Sequence, residues 1–473
     1  MTGPDLAGQH VTVAGLGVSG VPAARALAGL GAVVTVVNGS DGERERAQAA
    51  PLEELGVTVR LGDGDTLPEG TELVVTTPGW KPTSPLFQAA EAAGVPVWGD
   101  VELAWRLRGP DAPPWLAVTG TNGKTTTVRM LAAILEAEGL RTAAVGNIGV
   151  PLVDVVLEPD GTYDVLAVEL SSYQLHWAPS VRAHSATVLN LAPDHLDWHG
   201  SMEAYAADKG RIYEGNTVAC VYNVADQATE DLVREADVEE GCRAIGFTLG
   251  TPGPSQLGVV EGILVDRAFV ENRQQHAQEL AEISDVTPPA PHNIANALAA
   301  AALARAFGVR PQSVRDGLRA FHPDAHRIEH VADIAGVAYV DDSKATNTHA
   351  TEASLAAYEH IVWIAGGLAK GATFDDLVRK SANRLRGAVL IGADRALIRE
   401  ALARHAPDVP VVDLDRTDTG AMSEAVREAA RLARPGDTVL LAPACASMDM
   451  YLNYNKRGEA FADAVRTLTA QEQ

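Results

Sequence analysis

Leu116-Ala-Val-Thr-Gly-Thr-Asn-Gly-Lys-Thr-Thr-Thr127 is the stretch whose reading decides the fold. A short apolar strand runs into a turn of small residues and then into a helix starting near Thr125. Gly120 and Gly123 let the backbone turn tightly and bring its N–H groups close to an anion. The helix points its positive dipole end at the same place. Lys124 can put a cation on β- and γ-phosphates, and the Thr125 hydroxyl can ligate Mg²⁺. The general phosphate-loop pattern wants glycine six residues before the lysine, where this chain has Val118. What remains is the shorter form Gly120-Thr121-Asn122-Gly123-Lys124-Thr125-Thr126, which still predicts a nucleoside-triphosphate site at the carboxyl end of a parallel strand.

Upstream, His10 to Gly20 reads H-V-T-V-A-G-L-G-V-S-G. A strand leads into a turn of Gly15, Leu16, Gly17, Val18 and Ser19, closed by Gly20. A helix from Val21 to Leu30 and a strand from Val33 to Val37 complete a βαβ unit of dinucleotide type. A nicotinamide site wants an acidic residue at the end of the second strand. Asn38, Gly39 and Ser40 stand there, and Asp41 is late, so a uridine nucleotide or a purely structural turn fits better. Thr76 to Pro82, with Pro78 and Gly79, and Trp98 to Leu103 read as strand ends with loops on the same carboxyl edge. The connector Arg106 to Pro114, rich in Pro and Gly, marks a domain boundary.

Downstream, Val145-Gly-Asn147-Ile-Gly-Val-Pro151 precedes a strand from Val165 to Leu170 that ends in Glu169-Leu-Ser-Ser-Tyr-Gln174. A carboxylate in that apolar strand end is costly to bury alone, and a metal is the obvious partner. The strand from Ala186 to Leu191 runs into Pro193-Asp-His-Leu-Asp-Trp-His-Gly200. Its Asp194, His195, Asp197 and His199 lack zinc-site spacing. His195 reads either as a residue beside a phosphate-bound Mg²⁺ or as a structural loop histidine. Lys209, in a helix from Ser201 to Glu214, reads by residue type as an exposed lysine. From Asp226 to about Thr287 the pattern predicts only short strands and loops. A helix then runs to Phe307, with Asn293 and Asn296 near its start as a cap or as readers of an adenine edge. Beyond Pro323, strands at Val337–Val340, Ile361–Ala365, Ala388–Gly392 and Thr438–Leu441 each enter a polar loop. Lys344, Lys370 and Ser447 on these loops would converge at one sheet edge and suit an anionic amino acid.

The chain has 473 residues, 46% hydrophobic and 21% charged, which fits a globular protein of about three domains. A net charge of −24 with no basic stripe argues against nucleic acid as a partner. Three cysteines without C-x-x-C spacing, and no secretory segment, point to a reducing cytoplasm. No apolar run is long enough to span a membrane.

In chain order, G-T-N-G-K-T-T, G-N-I-G-V-P, E-L-S-S-Y-Q, D-H-L-D-W-H-G, H-N-I-A-N-A, H-R-I-E, D-D-S-K-A-T-N and A-P-A-C-A-S-M-D resemble the Mur ligase family over nearly the whole chain. The resemblance implies an α/β protein of three domains. These are a Rossmann-like domain over 1–107 for a UDP-linked substrate, a central P-loop ATPase domain with a mostly parallel sheet over 108–322, and a Rossmann-like amino-acid domain over 323–473. It implies ATP-driven joining of D-glutamate to UDP-N-acetylmuramoyl-L-alanine through an acyl phosphate, in the cytoplasm, by a monomer. Lys124, His195 and Lys209 would be catalytic. Two Mg²⁺ ions would sit on Thr125, Glu169, His195 and a carbamylated Lys209. Gly120 to Thr126, Asn293, Asn296, Arg327 and Asp342 would hold ATP. Gly15 to Ser19, Asn38, Gly39, Pro78, Gly79 and Asn147 would hold the UDP substrate, although the family often has Asp and a hydroxyl residue at Asn38 and Gly39. Lys344, Thr346, Lys370, Ser447 and Tyr454 would hold D-glutamate. A sibling ligase with another acceptor, such as folylpolyglutamate synthase, is the alternative, and the last two motifs speak against it.

Overall fold

The computed structural model describes residues 4–323, 325–416, 418 and 420–472. Their contacts divide the chain into two compact units, one of residues 1–289 and 293–321, the other of 290–292 and 322–473.

The first unit contains two sheets. The five strands of the first run in the spatial order Thr58–Leu61, Val33–Asn38, His10–Ala14, Leu73–Thr76, Val97–Gly99, all parallel. Strands buried on both faces by crossover helices need apolar residues at every position, and Val11, Val13, Val36, Val74 and Val75 are almost wholly buried. Strand order reverses between His10–Ala14 and Leu73–Thr76. The loops leaving those two strands, Gly15 to Ser19 and Thr77 to Ser84, therefore diverge and leave a crevice.

The second sheet has nine strands, in the order Gln278–Glu282, Ile263–Asp266, Gln256–Val260, Arg243–Phe247, Ala219–Asn223, Ser185–Val188, Trp115–Thr119, Leu166–Glu169, Ala144–Gly146. The first two pairings are antiparallel and the others parallel. Trp115–Thr119 lies between Ser185–Val188 and Leu166–Glu169, so the phosphate loop is flanked by the ends of both neighbours. The helix Lys124–Ala137 starts one residue earlier than the sequence predicts, on Gly123. Residues 226–287 are not only strands and loops. Gln227–Glu235 is a helix with Thr229 buried, and its single apolar stripe is too short to stand out in an acidic segment. The helix predicted over Ser201 to Glu214 is α-helical only over Met202–Gly210, with the Ser201 hydroxyl capping Ala204 N–H, and tightens to a 3₁₀ turn at Arg211–Tyr213.

The second unit carries six strands, ordered Glu329–Ile334, Val337–Asp341, Thr438–Leu441, Ile361–Gly366, Leu385–Ile391, Val411–Asp413. Only the first pairing is antiparallel. The adjacency of Val337–Asp341, Thr438–Leu441 and Ile361–Gly366 puts their three exit loops side by side. Among the described residues no helix is long and apolar enough to cross a membrane.

Candidate active site

In the first unit the phosphate loop is held from below by polar contacts. Asn190, at the end of the neighbouring strand, accepts Asn122 N–H on its side-chain oxygen at 2.9 Å and donates back to Asn122 C=O at 3.1 Å. The Thr121 hydroxyl accepts Ala192 N–H at 3.0 Å and lies 2.9 Å from the Tyr205 hydroxyl. Lys124 Nζ folds back to donate to Gly120 O at 2.8 Å and Thr121 O at 3.0 Å. Thr125 and Thr126 are half-buried on the first helical turn. Asn293 and Asn296 are buried inside the helix Pro291–Ala306, so neither caps it. Asn296 lies against the loop, and a Cβ on Gly123 would stand 2.4 Å from its Oδ1.

Lys209 is buried at 2% exposure, against the residue-type reading of an exposed lysine. Its Nζ donates to Gly120 O at 2.9 Å and to Thr119 Oγ1 at 3.3 Å, so two lysine amines share the Gly120 carbonyl. Burial, and then the repulsion of Lys124, push the Lys209 ammonium well below the ordinary lysine range. Glu169 is 1% exposed. Its Oε1 accepts Asn147 Nδ2 at 3.0 Å, and its Oε2 is buried with no hydrogen-bond partner. An orphaned anionic oxygen beside a phosphate loop has the chemistry of a ligand to a hard cation. Asn147 therefore stands at this carboxylate. His195, the left-handed residue before the helix Leu196–His199, is half-exposed against the Tyr173 ring. Burial, opposed by Asp194 and reinforced by Lys124 and Lys209, lowers its pKa and favours the neutral imidazole. Thr125 and Glu169 offer oxygen donors of the kind Mg²⁺ takes and His195 a ring nitrogen, whereas the Lys209 amine offers no oxygen unless it is modified.

The crevice of the first sheet is a cleft of about 540 Å³ lined by Gly15, Leu16, Gly17, Asn38, Thr77, Gly79, Trp80 and Lys81, among others. Asn38 Oδ1 accepts Leu16 N–H at 3.2 Å, so it holds the turn's backbone. Val18 and Ser19 continue that turn, Gly39 follows Asn38 and Pro78 precedes Gly79, but these four are not among the lining residues. Trp80 and Lys81 lie in the Thr76 to Pro82 loop read from the sequence, which singled out only Pro78 and Gly79 there. Lys81 Nζ donates to Asp197 O at 2.9 Å, and Trp198 Nε1 donates to Trp80 O at 3.1 Å, which ties the cleft to the His195 loop.

In the second unit the three exit loops meet on a residue that sequence reading missed. Arg457, 1% exposed, donates to Ser343 Oγ at 3.0 Å and Ser343 O at 2.9 Å, to Cys445 O at 3.1 Å and to Gly366 O at 3.5 Å, one partner residue from the end of each strand or its loop. An arginine early in a C-terminal helix carries no sequence signal of such a place. Leu368 and Ala446 exchange backbone hydrogen bonds, so Lys370 and Ser447 sit just beyond a bridge between neighbouring loops. Lys370 is exposed with positive φ, and Ser447 is buried. Lys344 Nζ lies 4.0 Å from the Tyr454 ring centre, and Thr346 N–H bonds to Lys344 O. Asp342 is buried, hydrogen-bonded by Ser354, and raised by burial to about 6, with Arg327 acting the other way. His326, Glu329 and Asp341 also gather ligand atoms within 4.8 Å. There His326 Nδ1 bonds Asp341 at 2.7 Å and His326 N–H bonds Glu329 at 2.8 Å, a network satisfied by itself.

Residues 118–304 match the model of the Mur ligase middle domain, and residues 326–445 that of the Mur ligase glutamate ligase domain. The chain belongs to the Mur ligase family. It is 83% identical over 469 residues to the UDP-N-acetylmuramoylalanine–D-glutamate ligase of Streptomyces coelicolor, covering 98% of this chain and 99% of that one. The ligase of the same name from Thermobifida fusca is 61% identical over 98% of this chain and 99% of its own. The fold is also that of UDP-N-acetylmuramate-alanine ligase from Thermotoga maritima, with a TM-score of 0.55, 17% identity, and 97% and 99% of the two chains covered.

Proposed function

We propose that the protein joins D-glutamate to UDP-N-acetylmuramoyl-L-alanine at the expense of ATP, releasing ADP and phosphate in peptidoglycan precursor synthesis. The substrates follow from the name shared by relatives that match nearly the full chain at high identity. The observation that carries the chemistry is the convergence of Lys124 and the buried Lys209 on Gly120 O beside the orphaned Glu169 oxygen. In this reading the domains are 1–107 for the UDP substrate, 108–322 for ATP and 323–473 for the amino acid. The three separate sheets support that division.

The loop amides of Gly120 to Thr126 and Lys124 bind the triphosphate and neutralise charge building on the γ-phosphoryl group. Asn293 and Asn296 face the adenine, and Arg327 and Asp342 the ribose or phosphates. Glu169, Thr125 and His195 hold Mg²⁺, which supplies Lewis-acid neutralisation of phosphate oxygens when bound. Burial, with the repulsion of Lys124, pushes the Lys209 pKa well below the ordinary lysine range and so favours the neutral amine, the form that can attack CO₂. The new N–C bond with loss of a proton gives a carbamate, an anionic oxygen ligand in place of a cation. The crevice of Gly15 to Ser19, Asn38, Gly39, Pro78 and Gly79 holds the UDP moiety, while Asn147 faces the reacting end. The muramoyl-alanine carboxylate attacks the γ-phosphorus to form an acyl phosphate. The amine of D-glutamate then adds to its carbonyl, and phosphate leaves. Lys344, Thr346, Lys370, Ser447 and Tyr454 bind D-glutamate, whose two carboxylates suit the two lysines.

The test is ADP and phosphate release with UDP-N-acetylmuramoyl-L-alanine, with and without D-glutamate. Turnover should require both, and turnover with a different amino acid only would move the protein to a sibling ligase.

A further inference from the structure

Three residues to which the proposed function gives no role, Ser172 and His199 inside quoted motifs and Asp208 beside Lys209, meet in one buried relay. Ser172 Oγ lies 2.9 Å from His199 Nε2, and His199 Nδ1 lies 2.9 Å from Asp208 Oδ2. His176 Nδ1 approaches the same carboxylate at 2.9 Å and Arg211 Nε at 3.4 Å. The carboxylate can only accept, so His199 donates from Nδ1, which leaves Nε2 to face the Ser172 hydroxyl. The pattern of serine, histidine and aspartate is that of an activated nucleophile. Burial rules out that use, because Ser172 is 2% exposed and the His199 side chain is fully covered, so no substrate carbonyl can reach Ser172 Oγ.

The relay's place in the chain assigns it another role. Ser172 follows Glu169 by three residues, at the start of the helix Ser172–His176. His199 closes the one-turn helix entered by His195. Asp208 immediately precedes Lys209 on the helix Met202–Gly210. Three of the four segments that carry a proposed metal ligand thus contribute one member each, and the helix Lys124–Ala137 that carries Thr125 contributes none. Rings pack around the relay, with Tyr173 stacked on His199 at 5.6 Å and 13°, and Tyr205 edge-on at 5.2 Å. We infer that Ser172, His199 and Asp208 are positioning residues that fix the mutual placement of Glu169, His195 and Lys209. The inference rests on the metal reading proposed above. Groups that orient ligands without touching the metal commonly change its affinity by about 10–100-fold when lost.

The test is an electron paramagnetic resonance titration of Mn²⁺ on the full-length protein with a non-hydrolysable ATP analogue. Ser172→Ala, His199→Phe and Asp208→Asn should each weaken Mn²⁺ binding by about tenfold, the lower end of that range. The double variant Ser172→Ala/His199→Phe should be no weaker than His199→Phe alone, because both break one relay. Binding of UDP-N-acetylmuramoyl-L-alanine, read by calorimetry, should stay unchanged, which a general loss of folding would not allow. Glu169→Ala separates the two ideas. If it abolishes Mn²⁺ binding while the relay variants bind Mn²⁺ like the wild type, the positioning role is wrong and the metal reading stands. If Glu169→Ala itself binds normally, the metal reading falls and takes the relay's role with it. Should His199→Phe fail to fold, Ser172→Ala, which deletes one hydroxyl, decides the matter alone.

Discussion

Two glycine turns in the first unit use the same device for different charges. Gly15 to Gly20 and Gly120 to Lys124 each leave the end of a buried parallel strand and enter a helix, aiming backbone N–H groups at one point. The first turn has no cation of its own, and the lysine that lines its cleft, Lys81, is bonded to Asp197. The second has the cation of Lys124 within the loop. Their surroundings are opposite in kind as well. Near the first lies Asp100, a buried carboxyl raised by burial to about 6, with hydrogen bonds from Gln174 and Ser19 opposing the rise. Under the second lies the buried Lys209 amine, whose pKa is driven the other way. Backbone amides and a helix end suffice for a group that is only bound. On the function proposed above, a phosphoryl group that must be transferred needs a fixed cation where charge develops, the part given to Lys124.

The sharpest way to break this contrast is Lys124→Met. Turnover should fall about 10³-fold, as when a main charge-stabilising donor is lost. Calorimetric affinity for the UDP substrate should stay unchanged, and an equal loss in both would end the division of labour between the turns.

Asp100→Asn tests the acid beside the first turn. A carboxyl raised in the folded state contributes stability that is fully present below its unfolded pKa near 3.8 and is lost as pH rises through about 6. The substitution should therefore stabilise the first unit above pH 6 by up to about 3 kcal/mol and change little below pH 4. Denaturant unfolding at the two pH values reads this directly. A pH-independent difference would show that Asp100 is not the titrating group.

Gly20→Ala would place a Cβ 2.0 Å from Gly15 O, a backbone atom that cannot swing away. We expect a cost of about 2–3 kcal/mol and weakened UDP binding with ATP binding kept. Gly123→Ala meets the Asn296 side chain at 2.4 Å and carries a φ of 84°. Its ATP affinity should drop about tenfold, in line with a left-handed penalty of about 1–2 kcal/mol. Read as unfolding free energy without ATP, adding Asn296→Ala should return the steric part and leave the backbone part, and full recovery would refute the φ argument.

Much of the architecture was legible because it is local. Alternating apolar strands, glycine turns and helices announce parallel sheets, and the loops at strand ends announce where ligands gather. The helix Gln227–Glu235 and the strand Glu329–Ile334 were not legible. One is a short stripe in an acidic tract, and the other is a half-buried edge whose partner settles its pairing. Asn293 and Asn296 looked as much like caps as like ligands, and only the helix start at Pro291 separates the two.

By itself the sequence determined the phosphate loop, its lysine, the crevice turn and the order of the sheets, since neighbouring residues create each of these. Tertiary structure decided the state of Lys209. Its amine reaches a carbonyl 89 residues away, and burial reverses the exposed reading that its own helix suggests. The same holds for the unpartnered Glu169 oxygen, for Arg457 gathering three loops, and for the relay through Ser172, His199 and Asp208. Desolvation depends on everything that packs around a group, and that shell is assembled from residues far apart in the chain.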